Sequence, residues 1–206
     1  MNQLRYIAIE GPIGVGKTTL AHRLGETLSA EVFLEKPQEN PFLEKFYNEP
    51  RRYALAAQLS FLVQRAQQVD QLRQGDLFAN RCVADFLFDK DRLFARLNLQ
   101  GAEMDLYDDI FRRMAWQAPR PDCVIYLHAP VEVLMQRVRK RNRHEELNLT
   151  EDYMLQVSQT YQAYFSQYRE TQLIVVNADS HDLVSSREDY KALLEALSTP
   201  QSLITL

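Results

Sequence analysis

At 206 residues, with 46% apolar and 25% charged side chains, the chain has the composition of an ordinary globular protein and the length for one domain with a sizeable core, which excludes a disordered segment. A formal net charge of −4 argues against a general nucleic-acid or membrane-surface binder. No apolar run approaches a membrane span and no signal-peptide core precedes the first strand, so the expected location is the cytoplasm. The two cysteines, Cys82 and Cys123, sit in short apolar segments and read as buried thiols on adjacent strands; ligands at metal-binding spacing are absent.

In chain order, residues 4–10 form an apolar run ending in Glu10 and predict a strand. Gly11-Pro12-Ile13-Gly14-Val15-Gly16-Lys17-Thr18 follows, matching the phosphate-loop pattern G-x-x-x-x-G-K-[ST], with a helix predicted over 18–30. Its glycines allow successive N–H groups to turn inward around an anion, Lys17 can reach the β/γ-phosphates, and the Thr18 hydroxyl can ligate Mg²⁺ at a helix N-terminus that favours negative charge. A strand is predicted over 31–34, a short helix from Asn40-Pro41 to Tyr47, and a long helix over about 51–73 that ends near Gly75. Residues 81–85 predict the third strand, and helices over 88–97 and 103–116 are closed by Ala118-Pro119-Arg120-Pro121. Strands over 123–128 and 172–177 bracket helices over 130–141 and 150–168. The second of these helices carries Met154, Val157, Tyr161, Tyr164, Phe165 and Tyr168 at helical spacing, a stripe for the core or a subunit contact. A helix over 187–197 precedes a frayed tail. Five strands alternating with helices make an α/β chain whose parallel sheet is covered on both faces.

A phosphate loop needs a carboxylate near the metal, and two strands end in one: Glu35 follows Val32-Phe33-Leu34, and Asp85 ends Cys82-Val83-Ala84. Both emerge at the carboxyl edge of a parallel sheet, beside the loop. For phosphoryl transfer to a hydroxyl, one carboxylate holds hydrated Mg²⁺ and another accepts the proton; Asp85 is assigned to the metal and Glu35 to the base. The alternative for each is an acid that caps the following helix or faces solvent. Arg137, Arg139, Lys140, Arg141 and Arg143 form a basic run at a helix end, suited either to favour that helix terminus or to close as a lid over the transferring phosphoryl group. Glu145-Glu146 follow at once, placed to screen those arginines or to bond a sugar hydroxyl.

With Ile9-Glu10-Gly11 to Thr18, Glu35-Lys36-Pro37, Phe46-Tyr47 before Pro50, Gln58 with Arg65 seven residues on, Asp85 with Asp91-Arg92 behind it, and Arg141-Asn142-Arg143-His144-Glu145-Glu146, the chain resembles the deoxynucleoside kinase family over nearly its whole length. The resemblance implies a three-layer α/β/α P-loop kinase fold, residues 1–206 as one domain, with a five-stranded sheet in the order 2-3-1-4-5 and an arginine-rich lid at about 137–149. It implies ATP as donor on Gly11 to Thr19 with Asp179 near the adenine, Mg²⁺ on Thr18 and Asp85, and a deoxynucleoside as acceptor. Glu35 then resembles the base acting on the 5′-hydroxyl, with Lys17, Arg137, Arg141 and Arg143 around the phosphoryl group. Tyr47 and Glu146 resemble the pair on the 3′-hydroxyl, Tyr53 an aromatic near sugar and base, Gln58 the amide that reads the base edge, and Arg65 and Asp91 the charged pair lining the base pocket. Purine deoxynucleosides, in nucleotide salvage by a homodimer, are the expectation. The family usually has an arginine after the third-strand acid; here the pair is Asp85-Phe86, which leaves that role open or moves it to Arg92, Lys90 or Arg81. The alternatives are a nucleoside monophosphate kinase, such as a thymidylate kinase, and a non-catalytic nucleotide switch; against the switch, no Asn-Lys-x-Asp segment is present.

Overall fold

β1 (Tyr6–Glu10) is buried at all five positions, as a parallel strand covered on both faces must be. The structure, a computed structural model, describes residues 4–74, 81–115, 118–199 and 201–206; the expected helix ends at Gly75 and Trp116 lie outside these. Alternation along β1 builds two cores. Ile7 and Ile9 face one side and pack with α1 (Lys17–Leu28), α6 (Val131–Arg141) and α8 (Arg187–Ser198). Tyr6 and Ala8 face the other and meet α7 (Glu151–Ser166) through Val157, Tyr161 and Phe165. Met154, Val157, Tyr161, Phe165 and Tyr168 are buried, so the aromatic stripe belongs to the core of the chain itself. Tyr126 and Phe165 stack there with centroids 4.3 Å apart.

The remaining strands are β2 (Glu31–Phe33), β3 (Cys82–Ala84), β4 (Cys123–His128), β5 (Gln172–Asn177) and β6 (Leu203–Thr205), in the order β2-β3-β1-β4-β5-β6 and all parallel. Two expectations about the sheet need correction. The tail is not frayed: Leu203, Ile204 and Thr205 pair with Leu173, Ile174 and Val175, so the sheet has six strands, not five. A three-residue edge strand carries too little periodicity to be read from sequence. Cys82 and Cys123 are not on adjacent strands either: β1 lies between, its Tyr6 beside Cys82 and its Ile7 beside Cys123.

A third cluster stands over the carboxyl edge of the sheet. α2 (Leu43–Asn48), α3 (Pro50–Gln74), α4 (Lys90–Asn98) and α5 (Ala102–Ala115) bury Leu43, Phe46, Leu62, Ala95, Tyr107 and Phe111 among themselves. Asn40 does not open a helix as expected. It is buried after a 3-10 turn over Pro37–Glu39, donates to the Ala57 carbonyl at 3.0 Å and accepts the Phe42 N–H, pinning α2 against α3.

Candidate active site

Strand order assembles the acids. With β3 between β1 and β2, Glu35 after β2, Asp85 after β3 and the loop after β1 emerge side by side. The register Phe33 to Ala84 levels the first two, so the Glu35 N–H donates to Asp85 Oδ1 at 2.6 Å. They open into a cleft of about 350 Å³, the size of a small-molecule site, walled by the glycine loop, α2, α3, α4 and the turn after α6.

On the donor side, Gly11, Ile13, Gly14, Lys17 and Thr18 line the cleft. Lys17 Nζ donates to the carbonyls of Gly11 (2.7 Å) and Pro12 (3.2 Å), folded back over its own loop where a β/γ-phosphate would compete for it. Burial, seconded by repulsion from Lys90, lowers its pKa to about 8, against the pull of Glu10, Glu35 and Asp85. The Thr18 hydroxyl donates to Asp85 Oδ2 at 2.6 Å. Burial and then Glu35 raise the Asp85 pKa, a strain that a nearby cation would relieve. A hydroxyl and a carboxylate oxygen in contact, beside a phosphate cradle, fit Mg²⁺, which takes one or two carboxylates and leaves its other positions to phosphate and water. No cluster of three or more His, Cys, Asp or Glu suited to a metal occurs among the described residues.

On the acceptor side, the Glu35 side chain is 15% exposed and both its oxygens are paired, Oε1 with Arg65 Nη2 and Oε2 with Lys90 Nζ at 3.1 Å. Burial pushes its pKa up, but Lys90, Arg65 and Lys17 outweigh that and carry it from an ordinary 4.5 to about 2. The linkage sign follows. A depressed carboxylate stabilises the fold fully above its unfolded pKa, and that contribution is lost as pH falls from about 4.5 toward 2. We expect the urea midpoint to fall more steeply below pH 4.5 in the wild type than in Glu35→Gln; parallel profiles would contradict the pairing.

Arg65 continues to Asp91, and both are buried. Gln58, 3% exposed, lines the same wall with its Oε1 unpartnered, as is Asp91 Oδ2. Tyr47 lines the cleft, its phenol kept protonated first by burial. Tyr53 is not among the lining residues; it stands beneath Lys45 and Arg52. Of the basic run, Arg141 and Arg143 line the cleft, and the buried Glu146 forks onto Arg141 (Nε to Oε2 2.8 Å), the screening arrangement. Arg137 lies outside the lining and donates to the carbonyls of Val15 (3.4 Å) and Ala178 (2.8 Å), joining the phosphate loop to the segment that bears the exposed Asp179. Among the basic run, Arg139 pairs with Glu151 in solvent.

A family model described as deoxynucleoside kinase matches residues 7–200. The chain belongs to the deoxynucleoside kinase family. It is similar to the deoxyguanosine kinase of Bacillus subtilis, 30% identical over 94% of this chain and 96% of that one, and to the deoxyadenosine kinase of Lactobacillus acidophilus, 27% identical over 94% and 95%. Its fold matches a deoxyadenosine kinase from M. mycoides solved with the products dCMP and a flexible dCDP, at a TM-score of 0.82 and 25% identity, covering 94% of this chain and 98% of that one. This chain is a kinase of deoxynucleosides, and the monophosphate-kinase and switch alternatives give way.

Two residues at the cleft carry more than the sequence indicated, Lys90 in its lining and Glu10 just behind it. Glu10, wholly buried, accepts from the N–H groups of Gly11 (3.1 Å) and Leu87 (2.6 Å) and from the Tyr161 hydroxyl (2.9 Å). Its signal in sequence is an acid ending an otherwise apolar strand. Lys90, 4% exposed, is only one of three replacements offered for the missing arginine. Arg92 pairs with Asp108 on α5, and Arg81 precedes β3 at its other end, so neither stands at Glu35.

Proposed function

We propose that this enzyme transfers the γ-phosphoryl group of ATP to the 5′-hydroxyl of a purine deoxynucleoside, deoxyadenosine or deoxyguanosine, with Mg²⁺ on Thr18 and Asp85. Lys17 and the loop N–H groups hold the donor phosphates, with Gly11 to Thr19 as their cradle and the segment at Asp179 beside the adenine. Glu35 orients the 5′-hydroxyl and takes its proton as the bond to the γ-phosphorus forms and the bond to the β-phosphate oxygen breaks, releasing ADP; Mg²⁺, when held by Thr18 and Asp85, would supply positive charge to the phosphate oxygens. Arg141 and Arg143, in a lid over about 137–149, face the group in transit, and Arg137 braces that lid on the donor loop. Tyr47 and Glu146 are assigned to the 3′-hydroxyl, which requires Glu146 to share its carboxylate with Arg141. A one-domain chain acting as a cytoplasmic homodimer completes the reading; no helix among the described residues is long and apolar enough to cross a membrane.

The observation that carries the base preference is the pair of unpartnered acceptors, Gln58 Oε1 and Asp91 Oδ2, buried on one wall of the cleft. Buried acceptors call for donors; adenine and guanine each carry an exocyclic amino group, as cytosine does, whereas thymine offers only its ring N–H. Phosphorylation of the four deoxynucleosides and their monophosphates by labelled ATP is the test. Deoxyadenosine or deoxyguanosine should lead, deoxycytidine follow and thymidine trail; thymidine in the lead would refute the base assignment, and exclusive use of monophosphates the acceptor assignment.

A further inference from the structure

The position after Asp85 carries no charge because the chain there turns straight into the core: Phe86, Leu87 and Phe88 are 0%, 4% and 5% exposed. The next helix, α4, starts with Lys90 and Asp91, both buried and both lining the cleft. A buried ammonium is tolerated only with partners, and Lys90 has two: Glu35 Oε2 at 3.1 Å and Glu10 Oε1 at 3.7 Å. Glu10 is held in turn by two backbone N–H groups and the Tyr161 hydroxyl, from the loop, the approach to α4 and α7. It is therefore a fixed anchor buried behind the lining residues Gly11, Lys90 and Tyr161. Glu35 passes the chain on to Arg65, and Arg65 to Asp91, the neighbour of Lys90. Charges thus alternate through Glu10, Lys90, Glu35, Arg65 and Asp91, from the start of the phosphate loop to the base-reading wall. The first residues of one helix supply two of the five.

A purely structural reading would have Lys90 neutralise Glu10. The geometry argues otherwise, since the ammonium lies within hydrogen-bond distance of Glu35 and beyond it from Glu10. We propose that Lys90 is a positioning residue for phosphoryl transfer: anchored on Glu10, it clamps Glu35 Oε2 so that a free lone pair of that carboxylate faces the acceptor hydroxyl. It thereby fills the place that Phe86 leaves without a cation. The proposal rests on Glu35 acting on the acceptor hydroxyl. Arg65 cannot substitute, because it holds the other oxygen and is shared with Asp91.

The test is a double-mutant cycle on the full chain with deoxyadenosine and deoxyguanosine as acceptors: wild type, Lys90→Met, Glu35→Gln and the double variant, with Lys90→Arg for rescue. Lys90→Met should lower kcat roughly tenfold to a hundredfold, within the acid–base range, and leave the KM for ATP within about threefold. Lys90→Arg should recover most of that loss. In the Glu35→Gln background, Lys90→Met should cost less than about threefold, since the group it positions is gone. Equal losses in both backgrounds, or near-normal kcat in Lys90→Met, would overturn the proposal while leaving the kinase reading intact. Near-normal turnover in Glu35→Gln, or none in the wild type, would remove the premise and the proposal with it. If Lys90→Met does not melt cooperatively, Lys90→Gln, which keeps a donor beside Glu10, enters the same cycle with the same expectations.

Discussion

Glu35→Gln should lower turnover of the preferred deoxynucleoside by ~10²-fold or more and leave ATP affinity unchanged. The amide keeps the shape of the carboxylate but can neither take a proton nor hold a developing hydroxonium charge. On the proposed reading ATP binding is spared, because its phosphates would meet Lys17 and the loop N–H groups, on the other side of Asp85. A carboxylate held near a pKa of about 2 is a weak base, so in the proposed reaction its main work would be to aim the hydroxyl and accept the proton late. That suits a loose transition state in which the attacking bond forms last. Steady-state rates set against nucleotide affinity by titration calorimetry test this, and near-normal turnover would remove Glu35 from the reaction.

A second large effect is expected in stability. Gly11→Ala should destabilise the fold by on the order of 3 kcal/mol or more, through two costs acting together. The φ of Gly11 is +146°, in the region L side chains avoid, and an added Cβ would lie 2.2 Å from the Leu127 carbonyl oxygen, a backbone atom of the neighbouring strand that cannot swing away. Gly16→Ala is the comparison: φ is +108° but nothing lies within 4 Å of the new carbon, so only backbone strain of about 1–2 kcal/mol is expected. Urea midpoints of the two variants separate crowding from strain. Equal losses would mean that β1 does not approach β4 so closely at its end.

The phosphate loop was legible because its chemistry is local: three glycines, a lysine and a threonine at fixed offsets, between a strand and a helix. Glu35 and Asp85 were legible as strand-end acids for the same reason. Their contact was not, since it depends on β3 lying between β1 and β2, a matter of long-range pairing. Lys90 remained one cation among three until burial and distance separated it from Arg92 and Arg81. Tyr53, placed near the substrate by resemblance, stands outside the cleft lining because the turn of α3 gives it to Lys45 and Arg52.

By itself the amino-acid sequence determined an α/β chain with parallel strands, the anion cradle at Gly11–Thr18, and the set of charged residues from which a two-substrate site could be drawn. Periodicity and short motifs carry that information because they follow from backbone geometry over a few residues. The resemblance already implied Arg65 with Asp91; only the tertiary structure decided how the other charges pair: Glu10 with Lys90, Lys90 with Glu35, Glu35 with Arg65. It also decided that Leu203–Thr205 joins the sheet. Side chains from β1, α3, α4 and the end of β2 meet in or just behind one cleft wall, largely out of water, where an unpaired charge is costly, and that cost selects partners across the chain rather than along it.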